Sequence, residues 1–426
     1  MTAADTIFAL SSGKPPAAIA IIRISGSTAH AIGRQIAAEL PGAREAAVRA
    51  LRDPRSGELL DEAMVLRFDA PGTATGEDVV EFHCHGSRGV VDGVLSAIRC
   101  IEGAREAQPG EFTRRAFENG RIDLIEAEGL ADLLEAETEA QRRAALRLAE
   151  GDLSRQVAAW SERILGLSAR AERAIDYAEE DEDGASGDLA TEAQALAAEL
   201  GEWLKRPRAE PLREGLKVVV AGPPNAGKSS LINAIAGVDR IIVSDSPGTT
   251  RDVVEVPLAM SGIALVLTDT AGIRDSDDPI EAEGVLRARA RLADADILLW
   301  LGNPIESPEH PGLLLIHAKA DLGLDHGRGG LPVSSKTGQG LAELGERLVG
   351  IARTMVPSGD DISLNRRQAR HVEETFDELV DAARARDAVL QAEHLRLART
   401  ALDRMTGRAG VEEMLDALFS RFCLGK

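Results

Sequence analysis

The chain has 426 residues, more than one ordinary domain needs, so two to three domains are expected. Its formal net charge of −21 argues against non-specific binding along nucleic-acid phosphates, which requires clustered Lys and Arg, but leaves a specific nucleic-acid substrate open. The apolar runs are far shorter than the roughly 20 residues that span a bilayer, and three scattered cysteines with no secretion signal predict a cytoplasmic protein without membrane segments.

Residues 1–118 mix short β-rich runs, such as AIIRISG and DVVEFHCHG, with glycine and proline. This pattern predicts an α+β domain. In the second run, His83, Cys84 and His85 suggest a metal site. Because alternate residues of a strand face opposite sides and no fourth ligand follows, the metal interpretation is disfavoured.

Helical and α/β patterns alternate through the rest of the chain. Residues 119–214 are dominated by Ala, Leu, Glu and Arg, which predicts helices, and the acidic stretch at 179–188 is expected to be an exposed loop between them. Residues 215–355 contain short apolar runs separated by helical or loop stretches, which is typical of an α/β domain with a mostly parallel sheet. Residues 356–426 return to the helical composition, so the α/β domain is expected to be inserted between two halves of one helical domain.

A phosphate-binding motif, GPPNAGKSS, occupies residues 222–230, after the strand-like KVVVA and before the helix-like SLINAIAG. Gly222 and Gly227 allow backbone N–H groups to approach phosphates closely, and the helix dipole adds positive potential. Lys228 is expected to contact the β- and γ-phosphates, and Ser229 to ligate Mg²⁺. The complete pattern predicts a P-loop that binds and hydrolyses a nucleoside triphosphate.

Two further segments have the composition of nucleotide switches. DTAG begins with Asp269, whose carboxylate is expected to reach Mg²⁺ through water, and ends with Gly272, whose N–H is expected to contact the γ-phosphate. PGTTRD, between this segment and the P-loop, offers the hydroxyl of Thr250 as a Mg²⁺ ligand that orders the segment in the triphosphate state.

The residue after DTAG is Ile273, which cannot position the attacking water as the Gln of many small GTPases does. Another residue must therefore activate the water. The acidic residues downstream include candidates, and composition does not choose among them.

The base-reading segment is Ala-Lys-Ala-Asp at 318–321. Asp321 is expected to accept two hydrogen bonds from guanine, and Lys319 to pack its stem over the ring. Ala318 replaces the usual Asn, and one neutral hydrogen bond is worth roughly 0.5–1.5 kcal/mol, so GTP binding up to about tenfold weaker is expected. Together with the Ser-Ser-Lys segment at 334–336, Asp321 favours GTP over ATP.

The motifs PNAGKSS, PGTTRD and DTAG, the terminal FCLGK, and the N-terminal segments TGEDVVEFHCHG and PGEFTRRAFENGRIDL resemble the MnmE (TrmE) family of tRNA modification GTPases. The resemblance covers the whole chain. It implies an N-terminal α+β folate-binding-like domain that dimerises, a discontinuous helical domain, and an inserted Ras-like α/β P-loop G domain.

The same resemblance implies a GTP hydrolase that works on tRNA with an FAD-containing partner, MnmG, in a complex like a heterotetramer. Together they would add a carboxymethylaminomethyl or aminomethyl group at C5 of the wobble uridine, U34. A GTP-controlled switch for RNA binding or ribosome assembly is the alternative. Such switches usually carry a basic RNA-binding domain, and this acidic chain shows none.

Residue roles also follow from the resemblance. It implies a K⁺ ion bound by Asn225, Ser244, Ser246 and Thr249, and Glu281 as the residue that orients the attacking water. It implies 5-formyl- or 5,10-methylene-tetrahydrofolate at Arg23, Glu81, Arg121, where relatives often carry Lys, and the terminal Lys426. Cys423 has two interpretations, a thiol that takes part in the folate chemistry and a small apolar residue. The full set expected around the nucleotide is Gly222, Asn225, Ala226, Gly227, Lys228, Ser229, Ser230, Ser244, Asp245, Ser246, Pro247, Gly248, Thr249, Thr250, Asp269, Thr270, Ala271, Gly272, Lys319, Asp321, Ser334, Ser335 and Lys336.

Overall fold

The computed structural model describes residues 5–176, 185–238, 240–241, 255–269, 294–323, 330–357, 361–409, 412–420, 422 and 425. The chain divides into two compact units, one formed by Met1–Ala131 with Asp403–Lys426 and the other by Asp132–Leu402. In the described residues, no helix has both the length and the apolar character needed to cross a membrane.

The first unit contains a six-stranded sheet in the order β3-β4-β5-β2-β1-β6, antiparallel except for the parallel pair β1 and β6. Successive side chains of each strand point to opposite sides, so the sheet has two different faces. The strands are β1 (Thr6–Leu10), β2 (Ile19–Ser25), β3 (Ala46–Arg52), β4 (Leu59–Phe68), β5 (Val79–His85) and β6 (Ala104–Glu106).

Helices α1 (Ala29–Ala37) and α2 (Arg88–Arg99) contribute apolar residues to the same core as one face of this sheet. That core includes Phe8, Ile22 and Phe82, which are fully buried. On the opposite face, α3 (Glu111–Glu118) packs Phe112 against Ile7 and Ala9 of β1. We call the part of this second face formed by Ile21, Arg23, Met64, Glu81 and His83 the open face, because each of these residues is at least partly exposed.

A smaller apolar cluster in the first unit joins chain segments that are distant in sequence. Leu124, at the start of α4 (Leu124–Glu135), packs with Phe419 of α13 (Glu412–Phe419) and with Phe422. The α4 helix crosses the boundary between the two units, as does α12 (Ala388–Thr406).

The second unit contains helices whose core includes Trp160 and Trp203, packed edge to face at 5.3 Å. Trp160 Nε1 donates a hydrogen bond of 2.9 Å to Glu199, so the buried indole is satisfied. The helices that lie wholly in this unit outside its sheet region are α5 (Glu139–Ala149), α6 (Asp152–Asp176), α7 (Ala185–Leu204), α8 (Glu210–Arg213) and α11 (Arg366–Arg384).

The predicted loop at 179–188 is wrong at its C-terminal bound, because a helix begins before residue 188. The α7 helix begins at Ala185 and carries Asp188 in its first turn, where a carboxylate interacts favourably with the helix dipole. Residues 177–184 lie outside the described part of the chain.

The described part of the second unit also contains a seven-stranded sheet in the order β13-β12-β11-β7-β10-β9-β8. Five neighbouring strands, from β13 to β10, are parallel, so the predicted mostly parallel sheet is confirmed. The strands are β7 (Leu216–Ala221), β8 (Arg240–Ile241), β9 (Glu255–Met260), β10 (Ile263–Asp269), β11 (Ile297–Trp300), β12 (Leu313–Ala318) and β13 (Leu331–Val333).

Strand β7 lies at the centre of this sheet and is buried except at Lys217, as a parallel strand covered on both faces should be. Helices α9 (Lys228–Val238) and α10 (Leu341–Met355) share the sheet's core. The chain continues to one side of β7 with β8 to β10 and to the other side with β11 to β13. In such sheets ligands bind beyond the carboxyl end of the strand where the order reverses, which here is the end of β7.

Candidate functional site

The P-loop lies at the carboxyl end of β7, where the sheet topology predicts a ligand. Gly222 follows the strand directly, and α9 begins at Lys228. Gly227 has a φ of +100°, a conformation that strains any residue with a side chain. Asn225 also has a positive φ, +60°. These backbone turns close the loop between the strand and the helix N-terminus, where N–H groups are available to an anion.

Lys228 is 8% exposed, and its ammonium is held by the backbone of the loop. Its Nζ donates to the backbone oxygens of Gly222 at 3.0 Å and Pro223 at 3.1 Å. The charge is therefore held at the mouth of the loop, among the N–H groups of the helix terminus, and this geometry suits phosphate recognition.

The Ser229 hydroxyl donates a hydrogen bond of 2.5 Å to Oδ2 of Asp269. Strand pairing explains this contact, since Asp269 is the last residue of β10 and lies opposite Val220 of the neighbouring β7. A hydroxyl and a carboxylate are oxygen ligands that Mg²⁺ prefers. The two groups expected near Mg²⁺ are thus adjacent, although they are separated by 40 residues in sequence.

The base-reading segment contacts the P-loop through a hydrogen bond. Lys319 has a φ of +58°, and its Nζ donates to the backbone oxygen of Asn225 at 2.7 Å. Asp321 accepts a hydrogen bond of 2.7 Å from the hydroxyl of Ser334, which is fully buried. The Ser334 hydroxyl also accepts from the backbone N–H of Lys336. The hydrogen bond from Ser334 orients the Asp321 carboxylate.

Several residues predicted to bind the nucleotide or an ion lie outside the described part of the chain. Ile273, which follows DTAG, lies outside it as well. In the described part, the remaining predicted residues lie in the P-loop, at the start of α9 or in the turn after β13: Ala226, Ser230, Ser335 and Lys336. Those outside it are Ser244, Asp245, Ser246, Pro247, Gly248, Thr249, Thr250, Thr270, Ala271, Gly272 and Glu281, together with Cys423 and Lys426.

Ala318 is the last residue of β12 and packs its methyl group against the apolar core. Replacing it with asparagine supplies one neutral hydrogen bond at the base-reading loop. We expect GTP affinity to rise by up to about tenfold, since such a bond contributes roughly 0.5–1.5 kcal/mol. Titration with a fluorescent GTP analogue measures the change, and Ala320→Asn, two residues away, is the control. An unchanged dissociation constant for Ala318→Asn would contradict the assignment of this position.

In the first unit, Arg23 and Glu81 lie opposite each other on β2 and β5. The Arg23 Nε and Nη2 atoms both contact Oε1 of Glu81 at 2.8 Å. His83 Nε2 lies 3.1 Å from the other oxygen, Oε2. Two of the expected folate residues are therefore paired with each other, and His83 joins them. This role of His83 was not predicted from the sequence, although its i, i+2 spacing from Glu81 on a strand was a usable signal.

Arg121 follows α3 and lies beside the turn that precedes β5. Its Nε donates to the backbone oxygen of Thr73 at 3.2 Å, and Asn119 donates to that of Thr75 at 2.8 Å. In the described part of the chain, the hydrogen bond of Arg121 thus goes to this turn and not to Glu81.

The C-terminal segment approaches the same sheet. A Cβ atom on Gly425 would lie 2.1 Å from the backbone oxygen of Leu10, at the end of β1. The preceding residue of β1, Ala9, lies opposite Arg23. The backbone of Gly425 is therefore close to the strand that neighbours the Arg23–Glu81 pair.

The structure argues against a metal at His83, Cys84 and His85. Cys84 is buried while the two histidines are partly or fully exposed, so the expected alternation is confirmed. Burial, and to a smaller extent the Asp61 carboxylate, raises the pKa of the Cys84 thiol to about 12. A thiol that resists ionisation is a poor metal ligand.

Another group with metal-binding side chains, His30, Asp69 and Asp78, lies at one end of β4 and β5. Arg67 contacts both oxygens of Asp69, at 2.8 and 3.1 Å, and the backbone N–H of Ala70 donates to Asp78. The group is therefore explained by ion pairs and hydrogen bonds that hold this turn.

Comparisons with known proteins agree with the geometry. A family model described as the MnmE helical domain matches residues 124–423, and one described as the GTP-binding protein TrmE N-terminus matches residues 6–121. A protein of Erythrobacter litoralis named tRNA modification GTPase MnmE is 50% identical over 424 residues, which cover 99% of this chain and 100% of that protein. The chain belongs to the MnmE family.

Other MnmE relatives match over similar lengths. The protein of Zymomonas mobilis is 50% identical over 435 residues, covering 99% of this chain and 100% of the relative. The resemblance inferred from the sequence is confirmed, as is the predicted fold class of an α+β N-terminal domain, a helical domain and an α/β P-loop domain.

A solved structure, the G domain of the FeoB iron transporter of T. maritima, is 27% identical with a TM-score of 0.23, covering 32% of this chain and 98% of that chain. A TM-score this low carries no argument about fold or function.

Proposed function

We propose that this chain is a GTPase that acts in the modification of tRNA. The observation that carries the proposal is the arrangement around the P-loop. Lys228 is held by backbone oxygens of the loop, Ser229 is hydrogen-bonded to Asp269, and Ser334 orients the carboxylate of the base-reading segment. Relatives that are 50% identical over nearly the whole chain are named tRNA modification GTPases.

Within that activity, we propose that the modified position is C5 of the wobble uridine U34 and that the partner is MnmG. Membership of the MnmE family supports this assignment. The alternative, a ribosome-assembly switch, lacks support because the chain has a net charge of −21 and no evident basic RNA-binding segment in its sequence.

The catalytic proposal assigns Mg²⁺ to Ser229 and Thr250, and K⁺ to Asn225, Ser244, Ser246 and Thr249. Ser229 and Asn225 are the members in the described part of the chain, and both lie in the P-loop. A monovalent cation beside the phosphates supplies the positive charge that an arginine finger supplies elsewhere. Glu281 is assigned to orient the attacking water, since Ile273 cannot.

Replacing K⁺ by Na⁺ at constant ionic strength and Mg²⁺ concentration tests the cation site. Na⁺ carries the same charge but is smaller, so we expect hydrolysis about tenfold slower, a smaller loss than the roughly 100- to 1,000-fold that follows removal of a donor to the transition state. Phosphate release measures the rate. Equal rates of hydrolysis in the two salts would contradict the assignment of K⁺ to Asn225, Ser244, Ser246 and Thr249.

We also propose that the first unit binds a formyl- or methylene-tetrahydrofolate through Arg23, Glu81, Arg121 and Lys426. Glu81 supplies an acceptor for ring N–H groups, and the basic residues supply charge for the glutamate tail. The contact between Gly425 and Leu10 supports the inclusion of the C-terminal residue.

A homodimer formed through the N-terminal domain belongs to the same proposal. On the sheet face that carries Glu81, Val48 is 67% exposed and its cross-strand neighbour Met64 is 38% exposed. Burying such apolar groups against a second copy is favourable by about 25 cal/mol per Å².

Nucleoside analysis of tRNA from a strain that lacks this chain tests the proposed function. We expect the C5 modification at U34 to disappear, to return with the wild-type chain, and to stay absent with Lys228→Ala. Intact modification in the deletion strain would refute the proposal. Intact modification with a ribosome-assembly defect would support the alternative.

A further inference from the structure

The Glu81 carboxylate on the open face is held from two sides. Arg23 contacts only Oε1, and His83 contacts only Oε2. The side chains of Arg23, Glu81 and His83 are 24%, 13% and 18% exposed, so the cluster is reached from solvent without being fully solvated. In this setting charged hydrogen bonds are stronger than in bulk water.

Strand register explains why these three side chains meet. Glu81 and His83 are two residues apart on β5 and project on the same side of the sheet, while Arg23 lies opposite Glu81 on β2. His83 lies opposite Ile21 on β2 and opposite Met64 on β4. The carboxylate is thus bordered by apolar side chains on which a flat ring can lie.

A carboxylate with both oxygens anchored has a fixed plane. The terminal torsion angle of a glutamate side chain otherwise has a broad distribution. Fixing that torsion presents the remaining lone pairs of both oxygens in one direction, which matches a ligand with two adjacent N–H donors on a planar ring. The 2-amino group and the neighbouring ring N–H of a pterin are such a pair.

We propose that His83 is a positioning residue that holds the Glu81 carboxylate for the 2-amino edge of a pterin, and thereby sets the ligand selectivity of this site. The proposal rests on the folate site proposed above. His83 donates a hydrogen bond from Nε2–H to Oε2 of Glu81. Arg23 contacts Oε1, so without His83 the carboxylate would be held at one oxygen only.

The selectivity is measured by calorimetric titration of the full chain with 5-formyltetrahydrofolate and with its analogue lacking the 2-amino group. We expect His83→Leu to weaken binding of the first ligand about tenfold, the loss of one hydrogen bond to a charged group. Binding of the analogue, which cannot use both oxygens, should change less than about threefold because the positioned pair of acceptors is not used. His83→Gln retains an N–H donor and should restore the wild-type preference.

His85→Leu is the matched control. His85 lies on the same strand and the same face, but its Nδ1 contacts Asp61 at 2.7 Å and not Glu81. We expect its affinities for both ligands to equal those of the wild type. His83 and His85 lie in the first unit, so the circular dichroism spectrum and the thermal midpoint of the full chain show whether each variant is folded.

The outcomes separate the two proposals. A wild-type chain that binds neither ligand refutes the folate site and the role of His83 with it. Normal binding by the wild type and by His83→Leu overturns the role of His83 alone. Equal losses for both ligands without rescue by His83→Gln also overturn it, because they indicate a merely structural ion pair.

Discussion

Replacing Lys228 by alanine is expected to abolish tight GTP binding. The lysine is 8% exposed, and its ammonium is held at the mouth of the P-loop by two backbone oxygens. Removing one partner of a buried charged contact costs roughly 2–5 kcal/mol, which corresponds to about 30- to 4,000-fold in the dissociation constant. Equilibrium titration with a fluorescent GTP analogue in the presence of Mg²⁺ measures the loss.

Lys217→Ala is the control for this substitution. Lys217 belongs to the same strand that leads into the P-loop, but it lies at the opposite end and is exposed. We expect its GTP affinity to match that of the wild type. If Lys228→Ala bound GTP within about threefold of the wild type, the loop would not be the phosphate site.

The P-loop was predictable from the sequence because its geometry is local. A strand, a glycine-containing turn and a helix N-terminus fix the P-loop within nine residues, 222–230. Asp269 is distant in sequence, but parallel strands end at the same edge of a sheet, so its approach to Ser229 follows from the pattern of apolar runs.

The cluster on the open face was not predictable in the same way. Arg23 and Glu81 are 58 residues apart, and their contact depends on the register between β2 and β5. A shift of one residue turns every side chain of a strand to the other face. Arg23 and Glu81 were predicted by resemblance alone. The i, i+2 spacing places His83 on the same face as Glu81, but the contact of His83 with Oε2 is seen only in the structure.

The packing of the C-terminal segment was also not predictable from the sequence. The sequence shows a glycine before the terminal lysine, but not what the glycine contacts. Gly425 has a φ of +93°, and a Cβ atom there would lie 2.1 Å from the backbone oxygen of Leu10 and 2.9 Å from the Cα atom of Ser11. Because both obstacles are backbone atoms, no change of rotamer relieves the overlap.

Gly425→Ala should therefore displace the last residues of the chain from β1. Under the proposed folate site, Lys426 then loses its contact with the ligand, and a hydrogen bond to a charged group is worth roughly 1.5–3 kcal/mol, or about 10- to 150-fold in affinity. Calorimetric titration with 5-formyltetrahydrofolate measures this loss. We expect the thermal midpoint to change by less than about 3 °C, because only the chain end moves.

Gly103→Ala separates the steric effect from backbone strain. Gly103 has a φ of +84° but no atom within 4 Å of an added Cβ, so this variant bears the strain without the overlap, and its folate affinity should equal that of the wild type. Lys426→Ala should reproduce the loss seen in Gly425→Ala, and the double variant should lose no more than either single variant, because both act through the same contact. Additive losses would mean that Gly425 supports the folate site by a route other than Lys426.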